Sequence, residues 1–490
     1  MSCRGSLEYT CPSHGGWGMV RIGMLIPECH QLFVCPSACG RHGALGAIQQ
    51  GFKDRLSYLY LEESDIISGY DNAIGEAVEE LLKRLPKTPK VILIFVSCLD
   101  DLIGTDGDAV IEELSVRFPD IRFRMGHMNP ISTDSDEPPL VTTWKSVYSL
   151  MEWNGNLRKP AINMIGNYVP IHKDSELLEV MKALGVEVHH IGNYNTYEEL
   201  KDMGNHYLNL LLSSKVEKVG QLLERTQKIK YLNGHITYDF REIRENYRAL
   251  FEKLEEIALE NGNKELEGME EKFIYKKALD VEVENAEKNK NTILDGMSSE
   301  KISSEKMQLV AKILTEAEKK AKEAIAKAKE VVGEREIYVD YSAFGKPLEA
   351  AKFLKEQGFH VRRVYVKDID EENEVYQWLT KETDIEVIKA NHHVTVNKWR
   401  AKTGNSCHCA SQKEVKKQGE KGELESMEAD SISIGMEAAY ISGSPHVVPV
   451  FQNEGMYGFH GVKLLMEKLV EAAEKEADIE EVIRKAGLVV

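Results

Sequence analysis

Apolar residues in this chain come in short runs, separated by polar or glycine-containing turns and by stretches of helical period. "KVILIFVS" (90–97) is the clearest run, and its length and branched side chains predict a fully buried strand. Amphipathic "DNAIGEAVEELLKRL" (71–85) precedes it, while "DAVIEELSVRF" (108–118) and the strand-like "IRFRMGHM" (121–128) follow. A second series starts near residue 160: "AINMIGNYV" as strand, "DSELLEVMKALG" as a helix stopped by Gly185, "VEVHHIGNY" as strand, "TYEELKDMG" as helix, "HYLNLLLSS" as strand and "KVEKVGQLLERTQ" as helix. A third starts near 332 with "REIYVDYSAF", "KPLEAAKFLKEQG" and "FHVRRVYV". It resumes with "DSISIG", "MEAAYIS", "HVVPVF" and "GVKLLMEKLVEAAEKE".

Strands alternating with helices of this length predict βαβ units and parallel sheets. Three series predict an α/β protein of three doubly wound parallel-sheet, Rossmann-like domains, divided as 1–158, 159–331 and 332–490. Residues 240–330 read as a long helical segment. Within it, "TEAEKKAKEAIAKAKE" reads as a solvated surface helix, because opposite charges recur three or four apart, and "ILDGMSSEKISSEK" reads as a loop.

The length of 490 residues is enough for about three domains on the usual prior of roughly 150 residues each. A net charge of −18 argues against a general nucleic-acid-binding role, which needs a basic face. No run approaches the roughly 18–20 apolar residues of a membrane span, and the first residues carry no apolar signal core, so the expectation is a soluble cytoplasmic protein.

The eight cysteines (3, 11, 29, 35, 39, 98, 407 and 409) are too sparse for a disulfide framework. Six fall in the first 98 residues, a clustering that points to metal, redox or catalytic work. Cys98 follows the apolar run where a helix begins, and free backbone N–H groups at a helix start favour a thiolate. Cys11 precedes the glycine-rich "GGWG", and Cys39 sits in "CPSACGRHG", read as another glycine-containing turn with Cys35 in the same loop. Three thiols on three loops suit one side of an iron–sulfur cluster, and their spacing fits no zinc ribbon or ferredoxin run. Further candidates are Cys29 with His30, His189 with His190, the basic and aromatic end of "KANHHVTVNKWR", Cys407–His408–Cys409 in "NSCHCAS", and His460 in the glycine-rich "NEGMYGFHG".

These segments carry a family resemblance. Cys11 with "GGWG", Cys39 in "CPSACGRHG", "EESDIISGYDNAIGEAVEELL" and "SCLDDLIGTD" resemble the three cluster-ligand loops of nitrogenase component 1 and the stretch between the second and third. "AINMIGNYV", "YLNLLLSSKVEKVGQLLE", "EADSISIG" and "GMYGFHGVKLLMEKL" resemble its central and C-terminal domains. The family includes the α and β subunits of the molybdenum–iron protein, the protochlorophyllide, chlorophyllide and nickel-sirohydrochlorin reductases, and cofactor-assembly scaffolds. The resemblance implies that Cys11, Cys39 and Cys98 ligate an interfacial iron–sulfur cluster, P-cluster-like or 4Fe–4S, with Cys35 as a further ligand candidate. It also implies a second component 1 subunit, homologous or identical, an ATP-dependent iron protein that delivers low-potential electrons, and a small-molecule substrate. Two positions depart from the nitrogenase pattern. The family's cofactor-ligating Cys falls at Ser213, and its His falls at Val448, with His446 two residues away. The expected function is therefore a nitrogenase-like oxidoreductase component that reduces a bound substrate, either as a subunit that carries no active-site cofactor or on a substrate other than dinitrogen. The alternatives are a tetrapyrrole-type reductase subunit or a non-catalytic metallocluster scaffold.

Overall fold

The computed structural model describes residues 18–128, 137–262, 298–390 and 430–485. Three all-parallel sheets form the frame, as the strand–helix alternation predicts. The first contains β1 (Cys29–Cys35), β2 (Leu56–Tyr60), β3 (Val91–Ser97) and β4 (Arg122–Met128), in the order β2-β1-β3-β4. The second contains β5 (Lys159–Ile165), β6 (Glu187–His189), β7 (His206–Leu211) and β8 (Lys230–Asn233), in the order β6-β5-β7-β8. The third joins β9 (Ile337–Asp340), β10 (Val361–Val366), β11 (Glu386–Lys389), β12 (Ile432–Ile434) and β13 (His446–Val448), in the order β11-β10-β9-β12-β13.

β3 has all seven residues buried, which is why its sequence is continuously apolar rather than alternating. Its two faces pack on different helices. Leu93 and Phe95 join a core with Val20 and Ile22 of α1 (Gly18–Met24) and Trp144, whereas Ile92, Ile94 and Val96 face Ile74, Val78, Val110 and Leu114. The first core runs on into Ile165, Leu211 and Val216 of the second unit. Another core joins Ile162 and Leu208 of the second sheet to Ile337 and Val339 of the third.

β1 and β2 have no counterpart in the sequence reading. The letters of "CHQLFVC" look like a thiol-bearing loop, yet all seven residues are buried in a central strand. The Gln31 side chain donates to Val20 O at 3.0 Å, and His30 Nε2 lies 2.9 Å from Ser57 Oγ, so much of the polarity in the strand is met by tertiary partners. Cys35 and Cys39 do not share a loop. Pro36 cannot donate to the strand ladder, so it ends β1 after Cys35 and caps α2 (Ser37–Gln49), whose first turn carries Cys39.

The helical segment is helical as expected among its described residues, at 240–260 and 298–330, and departs from the reading in two details. α2 is followed in chain order by α3 (Glu63–Ser68), α4 (Asp71–Arg84), α5 (Cys98–Ile103), α6 (Gly107–Arg117), α7 (Pro139–Tyr148), α8 (Glu176–Leu184), α9 (Tyr197–Asp202), α10 (Glu217–Gln227), α11 (Phe240–Glu260) and α12 (Ser298–Val332). α12 takes in most of the stretch read as a loop, from Ser298 onward. It is not solvated all round either: Val310, Leu314, Ala321, Ile325, Ala328 and Val332 form a buried stripe beneath the charged face. Arg244 of α11 and Glu318 of α12 form a forked, largely buried ion pair that fixes the two helices together.

The third sheet carries α13 (Pro347–Glu356), α14 (Glu374–Lys381), α15 (Met436–Ser442), α16 (Gly458–Glu474) and α17 (Ile479–Lys485). Buried Glu176 of α8 crosses to the start of α16 and accepts the N–H groups of Phe459 (2.7 Å) and His460 (3.0 Å) and the Tyr247 hydroxyl (2.9 Å). Burial pushes its carboxyl up, and these donors pull it back down. Gly458 has φ +60°, and a Cβ there would stand 2.1 Å from Glu176 Oε1, so only glycine fits this crossing.

The buried stripe makes α12 a core element. Leu314→Ala, at a site 1% exposed, is expected to cost about 2–5 kcal/mol in urea unfolding. Lys319→Ala on the solvent face is expected to change stability by less than about 0.5 kcal/mol.

Candidate functional site

All four strands of the first sheet run parallel, so their carboxyl ends meet at one edge, the usual ligand edge of such sheets. Cys35 closes β1, Cys39 lies in the first turn of α2, and Cys98 opens α5 directly after β3, as the sequence predicts for that thiol. Cys39 and Cys98 are part-exposed, and Cys35 is buried behind them. Cys39 is close enough to the other two for thiolate charges to be felt. Burial and then the Cys98 charge push the Cys39 thiol up. Burial and then Cys39 push Cys35 up to about 12. Gly40 lets α2 approach this edge, since a Cβ there would meet the Tyr60 and Tyr58 rings at 2.9–3.0 Å.

The Cys98 turn is anchored from below. The buried Asp100 carboxylate accepts the Tyr70 hydroxyl, tying α5 to the residue before α4, and His127 at the end of β4 lies 3.9 Å from the same carboxylate. Among the described residues no three His, Cys, Asp or Glu side chains converge to hold a metal ion. Cys11 and Cys3 lie outside the described residues, as do His392, His393, Lys398, Trp399, Arg400, Cys407, His408 and Cys409.

Cys29 and His30 are buried inside β1, on opposite faces. Burial pushes the Cys29 thiol up to about 12 and His30 down to about 4, so both are core residues. His460 pairs with His172, Nε2 to Nδ1 at 3.1 Å, bridging the second and third units. His446 is held by Ala472 O at 2.7 Å, and Val448 is fully buried on β13.

A second feature was anticipated only in part, through Ser213 and the glycine-rich segment that begins at Asn453. The carboxyl ends of β5, β7 and β8 face the loops after β9 and β13 across a cleft, with α7 of the first unit as its third wall. It encloses about 40 Å³, room for a few waters at roughly 10–15 Å³ each. Ser213 lies in its wall beside Ser214 and Lys215. Lys215 is exposed on the cleft wall, and the protein packed around it, then the Lys367 charge, lower its pKa. His235 is lowered by burial and by Lys346. Asn167, 4% exposed, is fixed by His190. The His190 Nδ1 accepts the Gly192 N–H at 2.9 Å, so its Nε2 carries the proton and donates to Asn167 O at 3.1 Å.

Three parallel sheets around a central cleft, with thiols gathered on the outer edge of the first, define the class to which this chain belongs. A family model described as nitrogenase component 1 type oxidoreductase matches residues 15–424, and the chain belongs to that family. Sixty-four chains of solved structures match the fold. One, titled "Nitrogenase Cp1 at pH 6.5", is 15% identical with a TM-score of 0.60 and covers 97% of this chain and 95% of its own. Another, "Nitrogenase Cp1 at pH 5", is 16% identical with a TM-score of 0.53, covering 96% and 89%. At this identity the likeness establishes the fold. No curated protein matches this chain. Among the described residues no helix is long and apolar enough to cross a membrane.

His30, His190 and His206 are each pushed by burial down to about 4. The unfolded chain takes up these protons near pH 6.5 and the folded chain only near 4. Their contribution to stability is therefore complete above about 6.5 and is lost as pH falls toward 4. The melting temperature is expected to drop across that window, and His190→Gln to show a shallower drop in calorimetric scans.

Proposed function

We propose that this chain is the subunit of a cytoplasmic nitrogenase-like reductase that carries an electron-relay cluster and a substrate cleft. Cys11, Cys39 and Cys98 hold one half of an iron–sulfur cluster, a second component 1 subunit supplies the remaining ligands, and an ATP-dependent iron protein delivers the electrons. The observation that carries this reading is the arrival of Cys39 and Cys98, from separate elements, within mutual electrostatic reach at one strand edge. That donor set fits an iron–sulfur cluster: part-exposed thiols shed their protons to iron, and a third thiol stands 28 residues before Cys39 in the sequence. Bound there, such a cluster supplies one-electron storage at a potential set by its ligands, hydrogen bonds and burial.

The protein's own part is to position and shield. Asp100 and Tyr70 hold the Cys98 turn, and Cys35, buried as a neutral thiol, packs behind Cys39. Tyr60 and Ile67 next to this edge, and Leu45 and Ile48 on α2, are exposed apolar residues, which supports a partner subunit covering the site. The domain division 1–158, 159–331 and 332–490 belongs to the same proposal. It puts the thiol edge on the first domain and the cleft at the junction of all three.

Ser213 supports a substrate held directly in the cleft rather than a metallocofactor held there by a thiolate, the arrangement of a tetrapyrrole-type reductase. A scaffold that assembles and releases a metallocluster is distinguished by transfer of iron to an acceptor apoprotein without substrate turnover.

Anaerobic co-purification with the second subunit and an iron count test the assignment. Cys11→Ala, Cys39→Ala and Cys98→Ala are each expected to lose most of the iron, and Cys29→Ala to keep it. Unchanged iron in the first three removes the cluster from this edge.

A further inference from the structure

We propose that a proton path enters between the second and third units at the His172–His460 pair and runs through Glu176, Tyr247 and a water-sized cavity to His235 at the cleft. The inference deepens the reductase reading by supplying the protons that accompany electrons added to a bound substrate. It rests on that reading only for their use.

Three observations join end to end. The first is a buried carboxyl beside a half-exposed histidine pair. Glu176 is 4% exposed, and burial pushes its carboxyl up, which suits a group that holds a proton inside the protein. His460 gives its N–H to Glu176 Oε2 at 3.0 Å, while its ring meets His172 at 3.1 Å. His172 Nδ1 also accepts the Asp174 N–H at 3.3 Å, so His460 Nε2 carries the proton between the two rings. The His172 side chain is 39% exposed and so meets bulk water.

The second is a cavity on the other side of the carboxyl. The Tyr247 hydroxyl donates to Glu176 Oε1 at 2.9 Å and lines a space of about 10 Å³, room for one water. Tyr457 lines the same space, and its buried hydroxyl has no hydrogen-bond partner among the described residues. An unpaired buried hydroxyl is costly, and a water in the cavity would satisfy it.

The third is the exit. His235 lines both this cavity and the cleft. Gly234 lets the Tyr457 hydroxyl come alongside, since a Cβ there would stand 3.3 Å from its oxygen. Asn246 holds His235 O at 3.1 Å, and the Glu217 carboxylate lies 3.3 Å from His235 Nε2, where it stabilises the protonated ring.

In one passage Glu176 gives its proton through the Tyr247 hydroxyl to the cavity water, the water gives one to His235, and His235 gives one to the ligand. Glu176 is then reprotonated through the histidine pair. No electron moves, and each group ends as it began. A ligand filling the cleft shuts out solvent on that side, which is when a path through the protein matters.

The test is infrared spectroscopy of the full-length chain, purified with its iron, during hydrogen–deuterium exchange in heavy water. Glu176→Gln assigns the carbonyl band of the neutral carboxyl, and the amide band of the same spectra reports opening of the fold. The Glu176 band is expected to exchange at least tenfold faster than the protected amides. His460→Leu and Tyr457→Phe each leave one end open and are expected to slow it less than threefold. The double variant closes both ends and is expected to slow it at least tenfold, with amide exchange unchanged. Should Glu176→Gln fail to fold, Tyr247→Phe assigns the band, because losing that hydrogen bond moves the carbonyl frequency. The proposal is overturned if Glu176 gives no neutral-carboxyl band at any pH where the chain is folded, if its band exchanges only with the protected amides, or if the double variant exchanges as fast as the unaltered chain. Iron retained with slow exchange sinks this inference alone, and fast exchange without iron sinks the cluster reading alone.

Discussion

Parallel pairing is the constraint on which the rest of the molecule depends. When neighbouring strands run the same way, every loop that follows a strand emerges at the same edge, however far apart the residues are in sequence. Cys35, Cys39 and Cys98 are collected in this way from β1, α2 and α5, and Asn167, Lys215 and His235 from the ends of β5, β7 and β8. The arrangement has a cost: each strand must be covered on both faces and each return must cross by a helix. Here the cover comes from two packed cores on the first sheet and one that the second and third sheets share.

Sharing that core makes the cleft a property of the assembly rather than of one unit. Glu176 reaches from α8 to the N–H groups that open α16, and Tyr238 reaches Asn453 at 3.0 Å. Both contacts join the second unit to the third beside the loops that line the cleft. They are short and directional, and the carboxylate of Glu176 is buried, so the walls are fixed by bonds that would be lost together if the units slid. A cleft built in this way can present polar groups at set positions without closing on them.

How much of this was legible in the sequence varied from element to element. β3 announced itself because burial on both faces demands an unbroken apolar run. The helices at 71–84, 107–117 and 176–184 showed their period and, in the last, the Gly185 stop. β1 did not, because its cysteines, His30 and Gln31 look polar as letters, and the groups that satisfy them, Ser57 and Val20 O, are tertiary neighbours. The helix of α12 was legible, but its buried stripe was hidden for the opposite reason. Its charged majority drew the eye, while small residues such as Ala321 and Ala328 formed the buried stripe. The Cys98 position was readable from local order alone, and the proximity of Cys39 to it was not. The cleft was the least legible feature, since Lys215, Lys346 and Asn167 each look like ordinary loop residues until the second and third sheets bring them together.

Helix α1 ties the first unit to the walls of the cleft. Its Arg21 lies over the rings of Tyr168 (4.6 Å) and Phe451 (5.5 Å) while pairing with Glu454. Tyr168 belongs to the loop after β5, and Phe451 and Glu454 to the loop after β13, so one guanidinium spans two of the loops that shape the cleft. Burial pushes the Tyr168 phenol up to about 12 even against the pull of Arg21, which leaves it a neutral ring for the cation to rest on. The planar guanidinium stacks on both rings while its charge meets Glu454, so one side chain of the first unit holds the loop after β5 and the loop after β13 in register.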